Sequence, residues 1–133
     1  MKIMGDANIL ISAILFPNSI VSGIFKHIIE KNEMVLCQYT IDEIRHVFNK
    51  KFPKKIKEME IFLEKLSYEL FEINETEKKK YPNIRDIGDI PVLINAIESN
   101  VDIFITGDQD FDEIRIKKPI IMKPSKYRNE FME

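Results

Sequence analysis

Five acidic residues of this chain lie where a predicted strand or loop ends, away from the lysine-rich helix surfaces that carry most of its 22 Asp and Glu residues. The five are Asp6, Glu43, Asp86, Asp89 and Asp108. Asp6 follows the first predicted strand, Glu43 lies one helical turn after the second, and Asp108 follows the fourth. Asp86 and Asp89 lie where a loop enters a helix. Because the carboxyl ends of parallel strands line the ligand crevice of an α/β sheet, we expect one acidic pocket.

Carboxylates gathered in this way require a counter-charge. At about 5 Å and an effective dielectric near 20, each pair repels by roughly 3 kcal/mol, so protons or cations must neutralise the group. Oxygen ligands without His or Cys favour Mg²⁺ or Mn²⁺ over zinc. A divalent ion in this position activates water and stabilises charge on a phosphate, so the residues predict metal-assisted phosphodiester hydrolysis.

The elements that must position these residues alternate between strands and helices. Apolar runs predict strands at 2–5, 34–39, 71–73, 102–106 and 120–122. Helical periodicity predicts helices at 8–16, 20–32, 40–52, 54–70 and 89–100. This alternation predicts an α/β fold, a doubly wound three-layer sandwich around a central, mostly parallel sheet of about five strands, as a single domain over residues 1–133.

Composition limits the other possibilities. Twenty Lys and Arg residues against 22 Asp and Glu give a formal charge of -2, so nucleic-acid binding must come from local patches. The single cysteine, Cys37, excludes an internal disulfide and fits a reducing cytoplasm. The uncharged stretch 7–25 contains polar residues and a break at Pro17, which argues against a membrane span.

Most of the acidic residues also have ordinary structural interpretations. Residues 40–43 match the Thr-x-x-Glu capping box, which taken alone explains the glutamate better than a metal role does. Asp89 fits a helix cap, and Asp86 and Asp108 fit turns. Asp6 is the hardest to explain structurally, because an unpaired charge among apolar residues is expensive. The functional hypothesis therefore depends on the convergence of the set.

Four segments, taken in order, resemble the motifs of the PIN-domain family, which includes the VapC-like toxins of prokaryotic toxin-antitoxin pairs. They are residues 6–13 (DANILISA), 40–44 (TIDEI), 85–93 (RDIGDIPVL) and 102–111 (DIFITGDQDF). Ala7 departs from the Thr that is frequent after the first Asp. Any one motif is weak, but the ordered set spans nearly the whole chain and is specific.

The resemblance implies a metal-dependent ribonuclease with a PIN-like fold. It implies that the catalytic and metal-holding carboxylates are Asp6, Glu43, Asp89 and Asp108. It implies that the auxiliary polar residues are Asn8, Ser12, Asp86 and Asp110. It also implies an RNA substrate, a Mg²⁺ or Mn²⁺ cofactor, a cytoplasmic location, a homodimer and an antitoxin partner.

Basic clusters beside the acidic pocket are candidates for holding the RNA backbone. Those that we expect to contact nucleic acid are Lys50, Lys51, Lys54 and Lys55. A second run, Lys78 to Lys80, fits a solvated surface better than an RNA contact.

Two alternatives remain open from the sequence. A haloacid-dehalogenase-like phosphatase also places an Asp after its first strand, but needs a general acid two residues later, where this chain has the amide Asn8. A non-catalytic RNA-binding or partner-binding PIN module is the other, although such a module has no need of mutually repelling carboxylates.

Overall fold

The computed structural model describes residues 1–72 and 90–132, in which β-strands and α-helices alternate. The strands are β1 (Lys2–Gly5), β2 (Glu33–Cys37), β3 (Glu69–Phe71), β4 (Ile103–Ile105) and β5 (Ile120–Met122). The helices are α1 (Ala7–Leu15), α2 (Ile20–Lys31), α3 (Gln38–Lys51), α4 (Ile56–Lys65), α5 (Ile90–Glu98) and α6 (Pro124–Phe131). Short 3-10 turns span Pro53–Lys55 and Gln109–Phe111.

The strands form one sheet in the order β3-β2-β1-β4-β5, and every neighbouring pair is parallel. Alternate side chains of the strands face opposite sides of the sheet, as the pleat requires. Ile3, Leu36 and Ile105 belong to a core shared with α1, α2, α3, α4 and α6. Met4 and Phe104 belong to a second core shared with α5. The predicted α/β fold, a three-layer sandwich with a central parallel sheet, is therefore confirmed.

The predicted strands at 2–5 and 120–122 match the structure, and α1 and α2 lie within one residue of their predicted bounds. The predicted helix start at Thr40 is wrong. Helix α3 begins at Gln38 with Cys37 in extended conformation as its N-cap, and Thr40 lies inside the first turn. The hydroxyl of Thr40 instead lies 3.1 Å from the Cys37 sulfur in the interior. The capping-box interpretation of residues 40–43 is therefore excluded.

Strands β2, β3 and β4 differ from their predicted bounds of 34–39, 71–73 and 102–106, and helix α4 differs from the predicted 54–70. A 3-10 turn over Pro53–Lys55 precedes α4, and the helix ends at Lys65 rather than at Leu70. The chain leaves the helix at the buried Leu66 because β3 must begin at Glu69 to pair with β2. The polar segment 74–88 and Asp89, with which the sequence predicts that the next helix begins, lie outside the described residues, so α5 is described from Ile90.

Helix α6 was not predicted, because its sequence is polar and carries a single buried residue, Tyr127. The hydroxyl of Tyr127 lies 2.9 Å from Nδ1 of His27 and accepts a hydrogen bond from Asn32 at 3.1 Å. These contacts fasten the C-terminal helix to α2. Within residues 1–72 and 90–132, no single helix is long and apolar enough to cross a membrane; α1 and α2 pass that test only as a pair bent by 110°.

Replacing Tyr127 by Phe tests this attachment. Because the variant removes a buried hydroxyl and leaves the side chains of His27 and Asn32 without their partner, we expect the free energy of unfolding to fall by about 1–3 kcal/mol. Urea denaturation measures the change. Tyr68→Phe, at a half-buried tyrosine on the edge of the same core, is the matched control and should cost less. Equal stability of the Tyr127 variant and the wild type would contradict the attachment.

Candidate functional site

The sheet reverses its strand order between β1 and β4, which are adjacent although most of the chain separates them. In open α/β sheets, the crevice beyond the carboxyl ends of such a strand pair is where ligands bind. Gly5 and Ile105 are paired at the ends of the two strands, and the backbone amide of Asp6 donates to the carbonyl of Ile105 at 3.1 Å. The residue that follows each strand, Asp6 or Thr106, therefore lies at this crevice.

Asp6 is 7% exposed and serves as the N-cap of α1. One carboxylate oxygen accepts a hydrogen bond from the backbone amide of Ile9 at 2.9 Å, and the other accepts from the hydroxyl of Thr106. A carboxylate offers about four lone-pair directions, so each oxygen keeps the capacity to bind a cation. The positive end of the α1 dipole also favours a negative charge at this position.

Thr106 is the site residue that the sequence analysis did not single out. It is 2% exposed, and its hydroxyl both donates to Asp6 and accepts from the backbone amide of Asp108 at 3.0 Å. In the sequence it looked like the last residue of the fourth strand, whereas β4 ends at Ile105. A threonine directly after a buried strand and two residues before an acidic residue was the only available signal. In the structure it joins the ends of the two central strands.

Asp108 lies half-exposed beyond β4 and caps the 3-10 turn at Gln109–Phe111. Its Oδ1 atom accepts from the backbone amide of Asp110 at 2.9 Å, so the turn interpretation of Asp108 is confirmed. The turn does not exclude a second role, because the negative charge of Asp108 also acts on Asp6 and raises its pKa. Asp110 itself is exposed.

Glu43 lies in α3 with its side chain exposed to solvent. Although the residue is exposed overall, partial desolvation of its carboxyl group raises the pKa of Glu43, and the nearby charge of Asp6 raises it further. Because α3 begins at Gln38 rather than at Thr40, Glu43 lies well inside the helix and has no capping role. Within the described residues, the charge that acts on this carboxylate is that of Asp6.

The pKa of Asp6 is raised by several opposing influences. Burial is the largest and raises it, whereas the hydrogen bonds from Thr106, Ile9 and the Asn8 amide lower it. The charge of Asp108 adds to the effect of burial. Asp6 thus interacts electrostatically with both Asp108 and Glu43. Its raised pKa means that ionising Asp6 in the folded protein costs free energy.

Of the four predicted metal-holding carboxylates, Asp6 lies near enough to Asp108 and to Glu43 for their charges to raise pKa values. Asp89 and the auxiliary Asp86 lie outside the described residues. Among the residues that are described, no three His, Cys, Asp or Glu side chains are close enough together to hold one ion. The donor chemistry nevertheless fits a hard divalent cation, because every candidate ligand is a carboxylate and Cys37 is buried against Thr40.

The predicted auxiliary residues on α1 lie on the helix that Asp6 caps, whereas the predicted lysine contacts for nucleic acid lie at the end of α3 or after it. Asn8 is exposed and Ser12 is half-buried, both on α1, which Asp6 caps. Lys50 and Lys51 close α3, and Lys54 and Lys55 lie in or at the end of the 3-10 turn that follows. At 1.5 Å per residue, the helix separates Lys50 from Glu43 by about 10 Å. This lysine cluster is therefore at the far end of α3 from the acidic residues.

Comparison with known proteins agrees with the fold described above. The sequence model of the PIN domain matches residues 2–110 of the chain, a span that includes the first three motifs and all but the last residue of the fourth. The crystal structure of VapBC2 from Rickettsia felis bound to a DNA fragment from their promoter is similar in structure, with a TM-score of 0.71 and 18% sequence identity. The likeness covers 92% of this chain and 97% of that chain. No curated protein matches the sequence.

Replacing Asp6 by Asn tests the electrostatic cost of the site in metal-free protein. Because the folded state raises the pKa of Asp6, its contribution to stability is fully present below the ordinary carboxyl pKa of about 4 and is lost as pH rises through the raised value. An amide oxygen still accepts from Ile9, so we expect the variant to be at least as stable as wild type at pH 7. Its stability should also depend less on pH.

Urea denaturation in EDTA between pH 4 and pH 8 measures both effects. The raised pKa of Glu43 acts in the same direction, so some pH dependence should remain in the variant. A large loss of stability at pH 7 together with an unchanged pH profile would contradict the assignment of a costly charge to Asp6.

Thr106→Val removes the hydroxyl that joins the two strand ends while keeping the shape of the side chain. Because it removes the partner of one Asp6 carboxylate oxygen and of the Asp108 amide, we expect the free energy of unfolding to fall by about 1–3 kcal/mol. Thr106→Ser keeps the hydroxyl and is the control, which should recover most of the loss. Equal stability of the Val and Ser variants would show that the bridge does not contribute.

Proposed function

We propose that this chain, which belongs to the PIN-domain family, is a metal-dependent ribonuclease that hydrolyses RNA phosphodiester bonds. The family resemblance carried by the four motifs is confirmed by the match over residues 2–110. PIN domains are generally nucleases, which assigns the chain to the hydrolases at the level of the family. The RNA substrate and the metal dependence are our proposal.

The observation that carries the proposal is the buried carboxylate of Asp6 at the crevice where the strand order reverses. The negative charges of Asp108 and Glu43 act on it there. A protein without a cation to bind gains nothing from this repulsion, because an asparagine satisfies the same backbone amide. A bound divalent ion would offset the repulsion between the carboxylates, which explains why acidic residues rather than amides occupy these positions.

In this proposal Asp6, Glu43 and Asp108 hold Mg²⁺ or Mn²⁺, and Asp89 completes the set as the family motif implies. When bound, such an ion lowers the pKa of a water molecule and stabilises negative charge on a phosphate. The protein supplies the orientation. Thr106 and the Ile9 amide fix the plane of the Asp6 carboxylate, and the Asp110 amide fixes Asp108.

We also propose that the chain acts with a protein partner. VapBC2, the solved complex that is similar in structure, is bound to promoter DNA. The resemblance to VapC-like toxins implies an antitoxin that binds this chain and suppresses its activity, a homodimer and a cytoplasmic location. Co-purification of the chain with the product of a neighbouring gene, and loss of ribonuclease activity in that complex, is the observation that favours this role.

Asp6→Asn and Asp108→Asn test the catalytic proposal. Loss of outer-shell partners at metal sites typically costs 10- to 100-fold, so loss of a ligand should lower RNA cleavage by on the order of a hundredfold or more. Cleavage of a structured RNA in Mn²⁺ measures the activity, and circular dichroism checks the fold. EDTA should abolish wild-type cleavage.

Asp42→Asn is the matched control, because Asp42 is exposed next to Glu43 and pairs with Gln38 at 2.8 Å. We expect it to cleave RNA at the wild-type rate. Undiminished cleavage by both the Asp6 and Asp108 variants, after removal of contaminating nuclease, would exclude the catalytic role. Wild-type protein that binds RNA without cleaving it would favour a binding module instead.

A further inference from the structure

A small cavity of about 150 Å³ opens beside Asp108, between the loop that follows β4 and the end of β5. Its lining includes Thr106 and Asp108 from the acidic site, together with Asp112, Arg115 and Lys123. The cavity therefore shares two residues with the acidic site, and two cationic side chains form part of its wall. The sequence analysis assigned no role to either cation.

The sheet places Lys123 at the same edge as the acidic residues. Lys123 directly follows β5, and β5 runs parallel to β4 with Ile105 opposite Met122. The amide of Thr106 donates to the carbonyl of Met122 at 3.0 Å, which fixes the end of β5 against the start of the acidic loop. Lys123 thus stands at the carboxyl edge, on the opposite side of β4 from Asp6.

Arg115 is held in the loop by its own backbone neighbourhood. Its Nη1 atom donates to the carbonyl of Asp112 at 2.7 Å and to that of Ile114 at 3.3 Å. A guanidinium has five N–H donors, so these two bonds orient the group without exhausting it. A planar guanidinium oriented in advance suits a phosphate group, which it binds through two parallel hydrogen bonds.

The ion pair in the cavity wall is exchangeable. Nζ of Lys123 lies 3.6 Å from Oδ1 of Asp112, and both side chains are 49% exposed. Exposed pairs of this kind contribute little to stability, so an incoming phosphate displaces the carboxylate from the lysine at low cost.

We propose that this cavity binds a phosphate group of the RNA chain that flanks the scissile bond, with Arg115 and Lys123 as its ligands. The inference rests on the proposed function and names where the substrate backbone is held. A polyanion approaching three carboxylates needs cations beside them, and these two line a cavity that includes Asp108. The cluster around Lys50 lies at the far end of α3.

Binding of a labelled single-stranded RNA oligonucleotide by fluorescence anisotropy tests the cavity directly. The measurement uses full-length protein carrying Glu43→Gln, in Mn²⁺, so that the RNA stays intact while the cavity is unaltered. We expect Arg115→Gln and Lys123→Gln each to weaken binding by roughly three- to tenfold. Each should also reduce the salt dependence of log Kd by about 0.7, the value for one lost contact to a single strand.

Two further variants make the test specific. Lys126→Gln is the matched control, because Lys126 is an exposed lysine with an acidic partner, Glu130, but lies on α6 outside the cavity lining. It should bind RNA as the parent does. Asp112→Asn removes the carboxylate that competes for Lys123, so we expect tighter binding, the opposite direction from the cationic variants.

The outcomes separate this inference from the proposed function. Failure of wild-type protein to cleave RNA in Mn²⁺ overturns the ribonuclease proposal, whereas the cavity is judged by binding alone. Equal affinities and salt slopes for the Arg115, Lys123 and Lys126 variants, or no RNA binding by the parent, overturn the cavity assignment. In the active enzyme, a raised KM with unchanged kcat for the two cationic variants agrees with it.

Discussion

The rest of the structure depends on the burial of one carboxylate, that of Asp6, at the point where the sheet reverses its strand order. The carboxylate caps α1 through the Ile9 amide and joins β1 to β4 through Thr106, so it is a structural element in its own right. Those hydrogen bonds favour the ionised form, while burial and the charge of Asp108 oppose it, and burial dominates. The fold thus fixes the position of a charge that it does not neutralise.

Much of the architecture could be predicted because hydrophobic periodicity reports which faces are buried. The pleat of β1 places Ile3 and Met4 in different cores, and the sequence shows this as a short run of apolar residues. The errors occurred at side chains whose partners cannot be read from the sequence pattern. Thr40 satisfies its hydroxyl against Cys37 instead of capping a helix, and α6 is fixed by the single buried Tyr127, which leaves no periodic pattern.

The site residues that could be predicted are those that come after the ends of strands. Asp6 and Asp108 flank the two central strands, so the α/β topology alone brings them together once the elements are known. Thr106 was missed because its two partners, Asp6 and the Asp108 amide, become visible only when β4 lies beside β1. Arg115 could not be singled out because a lone arginine leaves no pattern in the sequence, whereas a run of lysines does. Its orientation depends on a turn that only the structure shows.

Under the proposed function, the separation of charge along the carboxyl edge would allow a chain with a formal charge of -2 to bind a polyanion. Affinity for a single strand depends on the cations that contact its phosphates, not on the net charge of the whole protein. Here Asp6 and Asp108 follow β1 and β4, while Lys123 and Arg115 lie on the β5 side together with Asp112, the ion-pair partner of Lys123. A nucleic-acid strand that crosses this edge would therefore meet two cationic side chains next to the carboxylates that repel its phosphates. Thr106 belongs to both the acidic centre and the cavity wall, because its hydroxyl bonds Asp6 and the Asp108 amide while its backbone amide bonds Met122, which precedes Lys123.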